Sequence, residues 1–214
     1  MTEMNKVAGT DWDAYYQQVP GYTQFFRSIS FRRVVRTIAL AVDGNNTPSV
    51  CELGGANSGL IPRLIDTFGV KDYHVIDTNS YGLQLTPRQR GCCAITTELS
   101  DVTGITESRE AFDLVFSVGL IEHFDRQGTA RAIRAHFELC RKGGHVLITF
   151  PTPTLLYRSL RWVAENRGIW KFPDERPLQF EEVEDSGRLF GEAIHKSVNW
   201  WIGLTQGYLL FKKT

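Results

Sequence analysis

From Ser49 onward, short apolar runs alternate with amphipathic stretches. Val50–Leu53, Tyr73–Ile76, Cys92–Thr97, Phe112–Val118 and His145–Phe150 have the length and composition of strands, and Phe112–Val118 is apolar enough to be buried on both faces. Between them, Leu60–Phe68 and Gly128–Cys140 repeat at helical spacing, the second with Ile133, Phe137 and Cys140 on one side. Arg141-Lys142 and the following Gly143-Gly144 read as that helix's stop signal. Strands and helices alternating in this way predict a parallel sheet covered on both faces.

The two ends of the chain differ. Residues 10–42 carry Trp12, Tyr15, Tyr16, Phe25, Phe26, Ile29, Val34, Val35 and Ile38 at roughly helical intervals, broken at Pro20-Gly21 and closed by the turn Asp43–Pro48. After Pro151, helical patterns over 154–166 and 180–190 flank a loop, Trp170–Pro177. Two final strands, Ala193–Trp200 and Tyr208–Lys212, stand too close in sequence for a helical crossover and must pair antiparallel. The prediction is an α/β domain over 1–214, a doubly wound, mostly parallel seven-stranded sheet with a C-terminal antiparallel hairpin.

Composition narrows the partners. The 24 basic and 24 acidic residues cancel, so no global field favours nucleic acid or an anionic membrane. No apolar run reaches the roughly 18 residues of a membrane span. Cys51, Cys92, Cys93 and Cys140 lack metal-clip spacing and read as buried thiols of a reducing compartment. A soluble, cytoplasmic protein is expected; its oligomeric state stays open, a homodimer included.

The candidate chemistry begins at Glu52-Leu-Gly-Gly-Ala-Asn-Ser-Gly59, a Gly-rich turn after the first strand, with Asp77 closing the second. Such a turn admits a ligand close to the backbone, and an acid on the neighbouring strand can hold ribose hydroxyls. Gly54-x-Ala56-x-x-Gly59 also fits a degenerate dinucleotide fingerprint, which keeps an NAD-binding domain as a rival. Glu52 opposes that rival, because its carboxylate would repel a pyrophosphate and suits a cationic, phosphate-free ligand.

These residues resemble those of the class I S-adenosylmethionine-dependent methyltransferases from about Val50 to the C-terminus. Glu52–Gly59 resembles the family's first motif, Asp77 its ribose acid and Asp101 the residue facing the adenine amino group. Ser117–Phe124 and Arg141–Ile148 resemble the segments around its fourth and fifth strands. The resemblance implies a Rossmann-like fold and S-adenosyl-L-methionine as cofactor, held by Glu52, Gly54, Gly55, Ala56, Asn57, Asp77, Thr78, Asp101, Val102 and Ser117. It implies a lid in residues 1–45, where Tyr15, Tyr16, Tyr22, Arg27, Arg32 and Arg33 are candidates, and an acceptor region in 151–192. Ala56 and Ser58 depart from the family's usual glycines.

Methyl transfer to a hydroxyl gains from a general base, and His123, after the fourth strand, is the candidate; the alternative is a residue that only shapes the turn. Metal-dependent relatives carry a Glu three residues before the Glu-His pair. Gly119 stands there, so no metal is expected. His74 and His145 are read as packing residues, His136 as solvent-facing, and His195 as a strand residue without a role in the site, reach to the pocket rim being the alternative. The Trp170–Pro177 run is similar to small methyltransferases of bacterial surface-glycan biosynthesis, which suggests a small-molecule or glycan acceptor. An RNA methyltransferase and a non-catalytic cofactor-binding subunit are the remaining alternatives.

Overall fold

The computed structural model describes residues 9–17, 21–42, 47–201 and 205–214, with side chains throughout except at 15–17 and 21–27. Two helices, α1 (Trp12–Gln17) and α2 (Gly21–Ile38), precede β1 (Ser49–Leu53) and α3 (Leu60–Phe68). Then come β2 (Asp72–Asp77), α4 (Ser80–Leu85), β3 (Gln89–Arg90), β4 (Cys93–Leu99), β5 (Phe112–Val118) and α5 (Arg126–Leu139). The chain ends with β6 (Cys140–Pro151), α6 (Leu155–Asn166), α7 (Phe180–Gly187), β7 (Gly191–Asn199) and β8 (Gln206–Lys213).

The sheet runs β3-β4-β2-β1-β5-β6-β8-β7. β4, β2, β1, β5 and β6 are parallel, and β8 lies antiparallel between β6 and β7, as the short final connection requires. The sheet has eight strands rather than seven. The extra one, β3, is two exposed residues paired antiparallel with β4 across Gly91, whose φ is +57°. So short and polar an edge strand leaves no apolar signature. From β1 the chain winds first toward β2 and β4, then returns to β5 and β6 on the other side. That reversal opens a crevice at the carboxyl ends of β1 and β5.

Alternation along the strands divides the core. Cys51, Leu53, Val115 and Val146 pack with Ile133 and Phe137 of α5 and Val183 of α7. Val50, Leu114, Phe116 and Leu147 face the other way, onto Val34 and Ile38 of α2 and Leu60 and Leu64 of α3. Two expectations on α5 change. The helix starts earlier, capped by Asp125, whose Oδ1 accepts the Gly128 N–H at 2.6 Å. It ends at Leu139, because Cys140 is already extended and pairs with Phe112; Arg141–Gly144 therefore belong to β6. His136 is fully buried rather than solvent-facing, since its position falls on the same stripe as Ile133 and Phe137.

Candidate functional site

The loops that leave β1, β2, β4, β5 and β6 meet over the crevice and enclose two adjoining cavities, of about 310 and 230 Å³. Both are lined by Trp12, Gly54, Gly119 and His123. The smaller adds Asp77, Thr78, Asp101 and Val102; the larger adds Glu52, Gly55 and Ala56, then runs to Tyr157, Trp170, Phe172 and Glu175.

The Gly-rich turn is built around its two acids. Glu52 is buried, its Oε2 accepting from the Tyr73 hydroxyl at 2.6 Å and its Oε1 from the Ser58 hydroxyl at 2.7 Å. Ser58 thus holds the motif's acid in place and also accepts the Leu60 N–H at 3.2 Å, opening α3. Gly55 has no room for a side chain: a Cβ there would lie 2.3 Å from Glu52 Cγ. Gly54, at φ +67°, makes the left-handed step that directs the turn. Asp77 Oδ2 accepts the Ala56 N–H at 3.0 Å and Oδ1 the Asn79 N–H at 2.8 Å. Burial still leaves the Asp77 carboxyl above its ordinary pKa, against the pull of those N–H groups. Ala56 is buried with an ordinary φ, so its methyl group fits.

Two predicted residues lie off the cavities and a third lines one. Asn57, at φ +49°, donates its N–H to Thr86 Oγ1 at 2.9 Å and lines neither cavity. Ser117 points to the α5 face, lies 2.9 Å from His136 Nε2 and lines neither cavity. It sits on the strand face opposite the cavities, a consequence of the two-residue period. Asp101 lines the smaller cavity and caps a short 3₁₀ turn, accepting the Thr103 N–H at 2.8 Å. Arg32 is exposed and Arg33 half-buried, and neither lines a cavity. The side chains of Tyr15, Tyr16, Tyr22 and Arg27 lie outside the described ones, as do residues 43–46 of the predicted turn. His195 lies 3.0 Å from Ser197 on β7, away from both cavities.

Around His123 the structure assembles groups from distant parts of the chain. The imidazole packs edge-on against Trp12 at 5.1 Å and Phe172 at 6.0 Å. Its Nδ1 is 3.3 Å from Asp174 Oδ2, an ion-pair distance without hydrogen-bond alignment. Burial lowers the His123 pKa, partly offset by Asp174, so the ring is neutral at neutral pH. Glu122 is buried, its Oε2 meeting no donor, and burial together with Glu175 holds its carboxyl well above the usual range. Glu175 accepts from the Tyr157 hydroxyl, and burial raises it too. Glu122, His123 and Glu175 bring one ligand-type atom each within 4.8 Å of one another, a set that could hold a cation. Asp174 and Glu175 had no sequence signal beyond their place in the Trp170–Pro177 loop, because no spacing rule links them to His123.

The donor set fits S-adenosylmethionine better than a dinucleotide. Carboxylates line both cavities and, among the described residues, no Lys or Arg does, which leaves a pyrophosphate without a cationic side chain and beside acids that repel it.

Comparison with known proteins agrees. A model of a methyltransferase domain family matches residues 26–191. No curated protein sequence matches the chain. Among solved structures, the chain is similar to the magnesium protoporphyrin IX methyltransferase of Synechocystis PCC 6803 with bound S-adenosylhomocysteine, at 14% identity and TM-score 0.71, covering 95% of this chain and 93% of that one. It is also similar to the N-methyltransferase NodS of Bradyrhizobium japonicum WM9 in complex with S-adenosylhomocysteine, at 15% identity and TM-score 0.63, covering 88% and 87%. A third match is a chain from the complex of a Haloferax volcanii methyltransferase with its activator, at 12% identity and TM-score 0.72, covering 96% and 99%. At these identities the structures speak for the fold. The family match spans most of the chain, and the chain belongs to the methyltransferase domain family as a class I S-adenosylmethionine-dependent enzyme.

Proposed function

We propose that the enzyme methylates a hydroxyl oxygen of a small molecule or glycan, with the smaller cavity holding the nucleoside and the larger the acceptor. Asp77 would take the ribose hydroxyls, Asp101 would face the adenine, and Glu52 would face the amino end of the cofactor. When bound, S-adenosylmethionine supplies a methyl group activated by its sulfonium. The chain's own residues set the approach and handle the proton. His123 supports this reading most directly, because it borders both cavities and burial keeps its imidazole neutral and able to accept a proton. Asp174 beside Nδ1 stabilises the imidazolium formed as the acceptor hydroxyl gives up its proton. The aromatic walls keep water from the reacting hydroxyl.

Replacing the base tests the assignment. His123→Ala should lower turnover by roughly two to four orders of magnitude and leave S-adenosylhomocysteine affinity within about twofold. Full activity in that variant would return His123 to a turn residue.

A further inference from the structure

The larger cavity holds more carboxyl groups than methyl transfer needs. Three carboxylates line it, and no Lys or Arg among the described residues does. Glu52 is satisfied by Ser58 and Tyr73 at the methionine end. Glu122 and Glu175 lie beyond it, in the part enclosed by Tyr157, Trp170 and Phe172. Glu122 is 3% exposed, and its Oε2, buried in the cavity wall, has no hydrogen-bond partner. A buried carboxyl oxygen without a partner is costly to keep, so its retention calls for a ligand that meets it. Arg161 does not: it lines neither cavity, and its donors go to the Tyr157 hydroxyl, the Glu175 backbone carbonyl and Glu165.

We infer that the acceptor is a cation, bearing an ammonium group that sits between Glu122 and Glu175 while its hydroxyl reaches His123. Two features favour an organic ammonium over a bare metal ion. The wall beside the cluster includes Trp12, Trp170 and Phe172, aromatic rings that suit a nitrogen cation on a carbon skeleton better than a hard metal's shell of oxygens. In addition, one oxygen of Glu175 already accepts from Tyr157, which leaves the cluster few free ligand atoms. The inference rests on the larger cavity being the acceptor chamber and on His123 being the base.

Matched probes test it: tyramine against N-acetyltyramine, and glucosamine against N-acetylglucosamine. Each pair keeps the hydroxyls and differs in the positive charge. Binding is measured by calorimetry with S-adenosylhomocysteine present. The charged member of at least one pair should bind at least tenfold tighter, and Glu122→Gln and Glu175→Gln should each remove that preference while cofactor-product affinity and melting behaviour persist. Equal binding within both pairs, or no binding of either amine, overturns the inference. So does micromolar Mn²⁺ binding that Glu122→Gln abolishes, which would make the cluster a metal site. If instead Glu122→Gln weakens S-adenosylmethionine but not S-adenosylhomocysteine, the carboxylate serves the sulfonium and the inference also fails. The position of the new methyl group separates the two readings: an O-methylated product from an acceptor bound without charge preference keeps the hydroxyl reading and discards the cation site, and an N-methylated product discards both.

Discussion

At the residue scale, the Gly-rich turn shows why a family motif can vary and still work. Ala56 replaces a usual glycine at no cost, because its φ is ordinary and its N–H still reaches Asp77. Ser58 replaces another and gains a task, holding Glu52 from the side opposite Tyr73. Gly55 is different. An added Cβ would fall 2.3 Å from Glu52 Cγ, so the acid would have to leave both hydroxyl partners. Gly55→Ala should therefore weaken S-adenosylhomocysteine binding by roughly 1–3 kcal/mol, the cost of a lost charged hydrogen-bond partner. Gly104→Ala, with open space around its Cβ, serves as the control. Calorimetric affinities that do not differ between the two variants would show that Glu52 plays no part in cofactor binding.

At the element scale, β1, β5 and β8 were readable from their apolar runs because most residues of each are buried. What misled was residue type where position mattered more. His136 is polar, yet it occupies the buried stripe of α5, lying 2.7 Å from the Ala132 carbonyl and 2.9 Å from Ser117 Oγ. That pair also keeps the Ser117 hydroxyl on the α5 face. Burial lowers the His136 pKa from 6.5 to about 4. The unfolded chain takes a proton near 6.5 and the folded one resists until about 4, so the unfolded state binds more protons between those values. Stability from this group is therefore complete above pH 6.5 and is lost as pH falls toward 4, by up to about 3 kcal/mol. Denaturant unfolding of the wild type and His136→Gln between pH 7 and 4 isolates the effect, since other acids titrate alike in both. The wild type's advantage should shrink by that order as the pH drops. A constant difference would show that His136 has no part in the acid sensitivity.

At the scale of the whole molecule, the two halves of the site were unequally legible. The half proposed for the cofactor follows chain order, each strand end delivering its residue in turn: Glu52 near the end of β1, Asp77 at the end of β2, Asp101 just after β4. The acceptor half joins Trp12, Glu122, Tyr157 and Glu175, which only the folded chain brings together. The first turn of the described chain ties the halves: Thr10 donates to Asp174, and Asn79 Nδ2 donates to Asp13 Oδ1 at 2.6 Å, close to Asp77. Ligand binding across this seam should therefore register in global stability. At a hundred times its dissociation constant, S-adenosylhomocysteine adds about 2.7 kcal/mol, which for a domain near this size raises Tm by roughly 5–10 °C. In Asp77→Ala the apo protein also loses the anchors of Ala56 and Asn79, so the informative quantity is the ligand-induced shift rather than Tm itself. A loss of about 2 kcal/mol in binding leaves less than half of that shift at the same ligand concentration. If thermal melts give Asp77→Ala the full wild-type shift, the ribose acid must be sought elsewhere in the smaller cavity, with Asp101 and Asp174 the other carboxylates to test.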